Sequence, residues 1–153
     1  MTRIGVISDT HGLLRPEAVA RLKGAEMIIH AGDIGSPDVI GALESLCPVH
    51  AIRGNVDRDS WAQAFPETLD VDIDGQHIYV IHNLKELDFD PAAAGYRVVI
   101  SGHSHSPKTC RENGVLYLNP GSAGPRRFRL SVAVASLRLS ANRVSAEIQT
   151  LTI

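Results

Sequence analysis

The sequence predicts an α/β fold, because short apolar segments alternate with segments of helical character. Five runs rich in Val and Ile each end in small or polar residues, which is the pattern of buried strands. Helix-like segments separate the first three runs, and such alternation favours right-handed βαβ crossovers and a largely parallel sheet. The five runs cover residues 4–7, 27–29, 49–52, 78–81 and 98–100.

Two helices are predicted between the first three strands. The first covers residues 16–23, with Pro16 at its first position and Gly24 at its C-terminal end. The second is capped by Ser36 and begins at Pro37. Its apolar residues recur at helical spacing, so one face is expected to pack on the sheet. These residues are Val39, Ile40, Leu43 and Leu46.

The second half of the chain is richer in strands. Asp74-Gly75 and Asn113-Gly114 lie between apolar runs, and both dipeptides are strong signals of tight β-hairpins. No repeat or long linker divides the chain, so we expect residues 1–153 to form one domain. The hairpin strands are predicted at 69–73 with 77–81 and at 109–111 with 115–118, and two closing strands at 130–137 and 143–151.

Composition excludes several classes of protein. The chain carries 15 basic and 17 acidic residues, a formal net charge of −2, so bulk binding to nucleic acid or to an anionic membrane is not expected. Only Cys47 and Cys110 are present, which excludes a disulfide framework. There is no apolar leader and no stretch long enough to span a membrane, so the expected location is the cytoplasm.

The chemistry-bearing residues follow the predicted strands at the point where each strand ends. Ligands of open α/β sheets bind outside the carboxyl ends of the strands, so these side chains are expected to converge. The five segments are Ser8-Asp9-Thr10-His11-Gly12, His30-Ala31-Gly32-Asp33, Arg53-Gly54-Asn55-Val56-Asp57, His82-Asn83 and Ser101-Gly102-His103-Ser104-His105.

Each segment taken alone has a purely structural explanation. Asp9 and His11 could be turn residues, and Gly32-Asp33 is a common turn pair. His103 and His105 are more specific, because residues two apart share one side of an extended backbone. The combination of all five segments, each at the end of an apolar run, indicates a functional site.

Carboxylate, imidazole and carboxamide groups together are typical ligands of divalent Mn, Fe, Ni or Zn rather than of Ca. No thiolate belongs to the set, unlike cysteine-rich structural zinc sites. Seven candidate ligands exceed the capacity of one tetrahedral ion but fit two ions that share a carboxylate. Two such ions, about 3.5–4 Å apart with a hydroxide between them, promote displacement at phosphorus.

The motifs resemble those of the calcineurin-like metallophosphoesterases. Val56 in the third segment and Asn119-Pro120-Gly121-Ser122 are similar to the small prokaryotic phosphodiesterase branch, which includes relatives of the retromer subunit Vps29. The resemblance implies a four-layer αββα sandwich, with two mixed sheets face to face and helices outside. The motifs are Asp9-x-His11, Gly32-Asp33, Gly54-Asn55-x-Asp57, His82 and Gly102-His103-x-His105.

The resemblance also implies roles for single residues. Asp33 would bridge two divalent ions, most simply Mn, with Ni, Fe or Zn as alternatives. Asp33 and Asn55 are the expected catalytic residues. Asp33 would be the bridge between the ions, and Asn55 would also orient the substrate phosphoryl group. The ligands of one ion would be Asp9, His11, Asp33 and His105, and those of the other Asp33, Asn55, His82 and His103.

Two positions depart from the family pattern. Many catalytic members carry histidine at the position of Val56, and that histidine is thought to protonate the leaving group. Val56 cannot donate a proton, so better hydrolysis of aryl than of alkyl phosphodiesters is expected. Asn83 stands where glycine commonly follows the fourth-segment histidine, and asparagine tolerates positive φ better than most residues.

The sequence therefore predicts a metal-dependent phosphodiesterase that acts on a small phosphoester. Two alternatives stay open: a non-catalytic, Vps29-like binding scaffold, and a phosphomonoesterase or nucleotide hydrolase that uses the same site. A homo-oligomer is compatible with the sequence. His30 is expected either to orient a metal ligand or to be a hydrogen-bonded core residue, and Trp61 is expected to contact Phe65.

Overall fold

Ten strands and two α-helices make up the fold in the computed structural model, which describes residues 1–153. Short 3-10 helices occur at Ser60–Ala64 and Leu84–Glu86. The strands are β1 (Thr2–Ile7), β2 (Met27–His30), β3 (Val49–Ala51), β4 (Thr68–Ile73), β5 (Gln76–Ile81), β6 (Tyr96–Ile100), β7 (Lys108–Glu112), β8 (Val115–Asn119), β9 (Ala133–Ser140) and β10 (Arg143–Thr150), and the helices are α1 (Pro16–Leu22) and α2 (Pro37–Glu44).

The strands form two mixed sheets of five. The first has the order β10-β9-β1-β2-β3, in which β1, β2 and β3 are parallel as predicted. The second has the order β4-β5-β6-β8-β7, in which β5, β6 and β8 are parallel. Both predicted hairpins are present, and the turn residues Asp74, Gly75, Asn113 and Gly114 all have the positive φ that a type I′ turn requires.

Both α-helices begin where the sequence signals lie, and the first also ends there. Ser36 Oγ accepts a hydrogen bond from the Asp38 N–H at 3.3 Å, so Ser36 is the predicted cap of α2. Gly24, with a φ of 87°, follows the end of α1. The second helix ends at Glu44, earlier than its apolar pattern suggests, and Leu46 packs from the following turn. Neither α-helix has the length and apolarity needed to cross a bilayer.

Alternation along the strands divides the core into layers. Ile4 and Val6 of β1 point to the second sheet and belong to the cluster between the sheets, whereas Ile7 packs on the outer side with residues of both α-helices. The expected sandwich of two mixed sheets is thereby confirmed. Its first outer layer contains Ala18, Leu22, Val39, Ile40 and Leu43 from the helices.

The outer face of the second sheet has a thinner cover. A small cluster of Ile81, Val99 and Val115 lies there, with Leu87 and Tyr117 packed against it. The 3-10 helix at Leu84–Glu86, rather than an α-helix, begins the segment that covers it. All five residues of β7 are exposed. This side of the sheet therefore stays open next to the loops that follow β5 and β6.

The largest difference from the predicted strands concerns β9, which is predicted at 130–137 and runs from Ala133 to Ser140. The strand predicted at 130–137 begins only at Ala133, because residues 125–131 form a loop with a turn in which the Leu130 N–H donates to the Arg127 carbonyl at 3.1 Å. The closing strand ends at Thr150.

Candidate metal centre

The predicted site residues lie in loops at one edge of the sandwich, after β1, β2, β3, β5 and β6. Six of them form two groups of three, and within each group the ligand atoms lie within 4.8 Å of one another. Asn55 is exposed and lines a cavity of about 500 Å³ together with His82 and His103. One group contains Asp9, His11 and His105, and the other contains Asp33, His82 and His103.

Two carboxylate oxygens lie between the groups. Asp33 Oδ2 is 3.2 Å from Nε2 of His82 and 3.8 Å from Nε2 of His11. Asp9 Oδ1 is 3.3 Å from Nε2 of His105 and 3.8 Å from Nε2 of both His11 and His82. The geometry is compatible with the bridging role expected for Asp33, and it places Asp9 in a similar position.

The remaining oxygen of each carboxylate is held by the protein. Asp9 Oδ2 accepts hydrogen bonds from the Ser8 hydroxyl at 2.7 Å and from the His103 N–H at 3.1 Å. Asp33 Oδ1 accepts one from the Val56 N–H at 3.1 Å. Each carboxylate is thus fixed in orientation by one oxygen while the other faces the cluster.

The imidazole of His82 is fixed in a similar way. Its Nδ1 lies 2.7 Å from the Ala31 carbonyl oxygen, which can only accept, so Nδ1 carries a proton. In the neutral ring Nε2 then presents a lone pair to the cluster, which is the state required of a metal ligand.

Several buried polar atoms of the cluster have no hydrogen-bond partner within the protein, which shows whether the cluster fits a cation. Only four buried side-chain N or O atoms of the chain lack a hydrogen-bond partner, and three of them are here: Asp9 Oδ1, His82 Nε2 and His105 Nδ1. Burial of such atoms is costly unless a partner is supplied. A cation would satisfy Asp9 Oδ1 and His82 Nε2 directly, so the residues fit divalent metal ions.

The cluster also couples the protonation of Asp33 and His82. Burial by itself would raise the pKa of Asp33, but the His82 imidazole and the Val56 N–H outweigh it and hold the pKa below its usual value. Burial by itself would lower the pKa of His82, but Asp33, the Ala31 carbonyl and Asp9 together raise it. Both shifts favour the charged forms, the Asp33 carboxylate and the His82 imidazolium, in the absence of a cation.

Backbone strain is concentrated at the same residues. Eight non-glycine residues of the chain have positive φ, and five of them are predicted ligands. A left-handed conformation costs an L-residue roughly 1–2 kcal/mol, and such strain gathers at functional sites. The five are Asp9 (56°), His11 (47°), Asp33 (56°), His103 (70°) and His105 (61°).

Two glycines allow the loops to approach the carboxylates. A Cβ added at Gly54 would collide with the backbone nitrogen and the carboxylate of Asp33. A Cβ added at Gly102 would collide with the Ser8 hydroxyl and lie 2.6 Å from Asp9 Oδ2. The glycines of the third and fifth segments therefore serve close packing around Asp33 and Asp9.

Asp57 is a brace whose role the sequence did not reveal, although it is part of the Gly54-Asn55-x-Asp57 motif. Its buried carboxylate accepts hydrogen bonds from the N–H groups of Ile34, Gly35 and Gly54, each at 2.9 Å. These bonds tie the loop after β2 to the loop after β3. Asp57 thereby holds Asp33 and Asn55 in register.

His30 is a hydrogen-bonded core residue, one of the two roles considered for it. Its Nδ1 accepts from the Gly32 N–H at 3.1 Å, so its Nε2 donates to Thr10 Oγ1 at 3.0 Å. Thr10 in turn donates to the Ile34 carbonyl at 2.8 Å. Complete burial lowers the pKa of His30 to about 4. None of its hydrogen bonds goes to a predicted ligand.

Two further expectations concern neighbouring residues. Asn83 has a φ of −108°, so its position does not need the tolerance of positive φ for which asparagine was considered. Its Oδ1 instead accepts from the Lys85 N–H at 3.1 Å and caps the 3-10 helix that follows. Trp61 and Phe65 make the expected contact, edge to face, with ring centroids 6.3 Å apart.

Comparison with known proteins places the chain in a family. Residues 2–142 match the model of the calcineurin-like phosphoesterase superfamily domain. The chain belongs to this superfamily. A probable metallophosphoesterase of Methanothermobacter thermautotrophicus is 37% identical over 95% of this chain and 90% of its own length. A phosphodiesterase of Methanocaldococcus jannaschii is 29% identical over 78% of this chain and 82% of its own.

Solved structures agree with this membership. A novel archaeal phosphodiesterase superposes with a TM-score of 0.78 at 25% identity, covering 97% of this chain and all of that one (100%). Vps29 of Entamoeba histolytica, complexed with Zn²⁺, superposes with a TM-score of 0.76 at 19% identity, covering 97% of this chain and 99% of that one. The expected resemblance to metallophosphoesterases and their sandwich fold is confirmed, and the family and the paired ligand groups both indicate divalent metal ions.

Proposed function

We propose that this superfamily member is a phosphodiesterase that uses two divalent ions. The observation that carries the proposal is the pair of ligand groups meeting at the inward oxygens of Asp33 and Asp9. One ion would be held by Asp9, His11, Asp33 and His105, and the other by Asp33, Asn55, His82 and His103. The mixed oxygen and nitrogen donors suit Mn, with Ni, Fe or Zn as alternatives.

Charge supports a small anionic substrate. The two buried carboxylates would not neutralise two divalent ions, so the loaded site keeps a local positive charge. The chain as a whole has a formal net charge of −2 and therefore has no excess of basic residues for binding a polyanion. Attraction would be confined to the phosphodiester group at the cluster.

The proposed chemistry divides between ions and side chains. When bound, divalent ions supply Lewis acidity toward the phosphoryl oxygens and a hydroxide nucleophile at neutral pH. Asn55, exposed on the wall of the 500 Å³ cavity, donates to a phosphoryl oxygen and orients it. Val56 has no ionisable group, so the leaving oxygen departs without a proton from that position. Good leaving groups are therefore preferred.

Activity after metal replacement tests the proposal. The protein is stripped of metal, loaded with Mn, Ni or Zn, and assayed with bis-p-nitrophenyl phosphate. Asp33→Asn is expected to lower kcat at least about 100-fold, as loss of a metal ligand or its support does. Asp74→Asn is the matched control, because Asp74 lies in a hairpin turn that asparagine also suits. Absence of hydrolysis with every ion, at confirmed occupancy, contradicts the proposal.

The same assay separates the alternatives. Turnover of p-nitrophenyl phosphate in place of the diester would identify a phosphomonoesterase. A stable protein partner whose binding is unchanged by Asp33→Asn, together with no turnover of any phosphoester, would identify a scaffold. The convergence of six of the seven predicted ligands favours catalysis, since a scaffold has no need of strained residues around unpartnered polar atoms.

A further inference from the structure

A second and larger cavity adjoins the metal centre. Its volume is about 690 Å³, and it shares His103 and Asn83 with the 500 Å³ cavity that Asn55 lines. It lies along the outer face of the second sheet, where no α-helix covers β7 and β8. We call it the β7–β8 groove; the lining residues used below are Leu84, Lys85, His103, Lys108, Glu112 and Tyr117.

The groove is cationic at the end nearest the metal centre. Lys85 and Lys108 are two of the three lysines of the chain, and neither forms an ion pair. Lys108 pairs with Asn119 in the sheet, and Asn119 Nδ2 donates to the Gly102 carbonyl and Ser104 Oγ at 3.0 Å each. Lys108 is thereby placed beside the loop that carries His103.

The opposite end of the groove is acidic. Glu112 lies on the same face of β7 as Lys108 but four residues further on, about 13 Å away along the strand. Its partner in the sheet is Val115, next to the hairpin turn. An anionic group in the groove is therefore favoured close to the metal centre and disfavoured at the far end.

Two apolar side chains also line the groove. Tyr117 is half-buried opposite the middle of β7, between Lys108 and Glu112, and Leu84 is 39% exposed in the segment that follows β5. A tyrosine ring and a leucine side chain offer a surface on which a planar ring can stack. The groove thus combines an aromatic contact with two unpaired cationic groups.

We propose that the β7–β8 groove binds one ester arm of the substrate, and that this arm carries an aromatic ring and a second anionic group. This inference rests on the proposed phosphodiesterase activity. His103 supports this placement, because it is a predicted ligand and also a wall of both cavities. A phosphodiester at the cluster has two arms, and the two cavities meeting at His103 can receive one each. The ring would lie on Tyr117 and Leu84, with the second anion beside Lys85 and Lys108.

Two chromogenic substrates that differ by one phosphate test the proposal. Thymidine 3′-phosphate 5′-(p-nitrophenyl phosphate) has the second anion, and thymidine 5′-(p-nitrophenyl phosphate) lacks it. The Mn-loaded protein is expected to show a kcat/KM about tenfold higher for the first, chiefly through KM, as two weak ion pairs allow. The preference should shrink as ionic strength rises.

Lysine variants assign the effect to the groove. Lys85→Ala combined with Lys108→Ala is expected to remove most of the tenfold preference, with a much smaller effect on the hydrolysis of bis-p-nitrophenyl phosphate, which carries no second anionic group. Lys23→Ala is the matched control, because Lys23 is the third lysine and lies exposed at the end of α1. Tyr117→Ala should raise KM for both nucleotide substrates alike. A preference that survives the double substitution overturns the proposal.

A binding measurement tests the groove independently of the proposed phosphodiesterase activity. Calorimetry compares thymidine 3′,5′-bisphosphate with thymidine 5′-monophosphate, in wild type and in the double lysine variant. If no diester is hydrolysed with any metal, but the bisphosphate binds more tightly and needs both lysines, the proposed activity fails and the groove is supported. Equal binding of the two nucleotides, or binding unaffected by the lysine substitutions, overturns the groove whether or not diesters are hydrolysed.

Discussion

Asp33 Oδ2 lies 3.2 Å from Nε2 of His82, and both atoms face the space between the two groups of candidate ligands. The carboxylate contributes to the raised pKa of His82 and is itself held ionised. A metal ion that uses His82 Nε2 must therefore displace a proton from it. Protons and metal ions compete for one position.

Metal affinity should accordingly depend on pH. Because the pKa of His82 is raised above its ordinary value, the competing proton is lost at a higher pH than from a free imidazole, and the affinity for Mn or Zn should rise with pH through that raised pKa. Calorimetry in buffers of different ionisation enthalpy measures both the affinity and the protons released. Asp33→Asn should weaken binding and move the pH dependence downward, whereas Asp74→Asn should do neither. Affinity that is independent of pH contradicts this prediction.

The Asp57 brace should be important for stability. Asp57→Asn replaces an acceptor of three N–H bonds by a group with its own N–H donors, so at least one buried donor is left unpaired. We expect the free energy of unfolding to fall by about 2–4 kcal/mol in urea denaturation, since hydrogen bonds to a charged group contribute about 1.5–3 kcal/mol each. Asp59→Asn is the control, because Asp59 is exposed and makes no capping bond. Equal stability of the two variants would be incompatible with the brace.

Burial of neutral His30 predicts acid sensitivity. Its pKa is about 4 in the folded protein and 6.5 in the reference state, so the unfolded chain takes up a proton first as pH falls. Protonation of this histidine therefore does not lower the free energy of unfolding above pH 6.5. As the pH falls from 6.5 toward 4, it lowers that free energy by roughly 3 kcal/mol, at 1.36 kcal/mol per pKa unit. Urea denaturation in EDTA measures the slope. His30→Gln should flatten it, and His50→Gln, at an exposed position, should not.

Val56 should determine which leaving groups are accepted. Its side chain is 47% exposed and cannot donate a proton, so bis-p-nitrophenyl phosphate should be hydrolysed much faster than diethyl phosphate followed by ³¹P NMR. Val56→His should raise turnover of the alkyl diester at least about tenfold, toward the range of general-acid catalysis. Val56→Leu controls for bulk. Equal wild-type turnover of aryl and alkyl diesters would contradict this explanation.

Local patterns in the sequence predicted the strands and helices closely. Val/Ile runs, the Ser36-Pro37 start of α2 and the two Xaa-Gly turns depend on interactions between neighbouring residues. The strand predicted from residue 130 was placed too early, because Leu130 lies in a turn rather than in the apolar register of β9. The two-sheet arrangement came from the resemblance, since strand order depends on contacts between distant segments.

The predicted ligands were recognisable from the sequence because they follow strands that end at one edge. Their residue types indicated divalent metal ions, and the structure brings them together in two groups. The contacts that orient them could not be predicted. Asp57 reaches Ile34 and Gly35 from another loop, and the Ala31 carbonyl sets the tautomer of His82 from 51 residues away.

By itself, the sequence determined the α/β class, the residues of the candidate metal centre and the family. Only the tertiary structure decided which oxygen of Asp9 and Asp33 faces the cluster, and that five of the ligands adopt left-handed backbone conformations. It also decided that no α-helix covers β7 and β8 and that Lys85 and Lys108 line one groove. Residue identity and local pattern are properties of the chain, whereas orientation and exposure arise from packing between segments far apart in it.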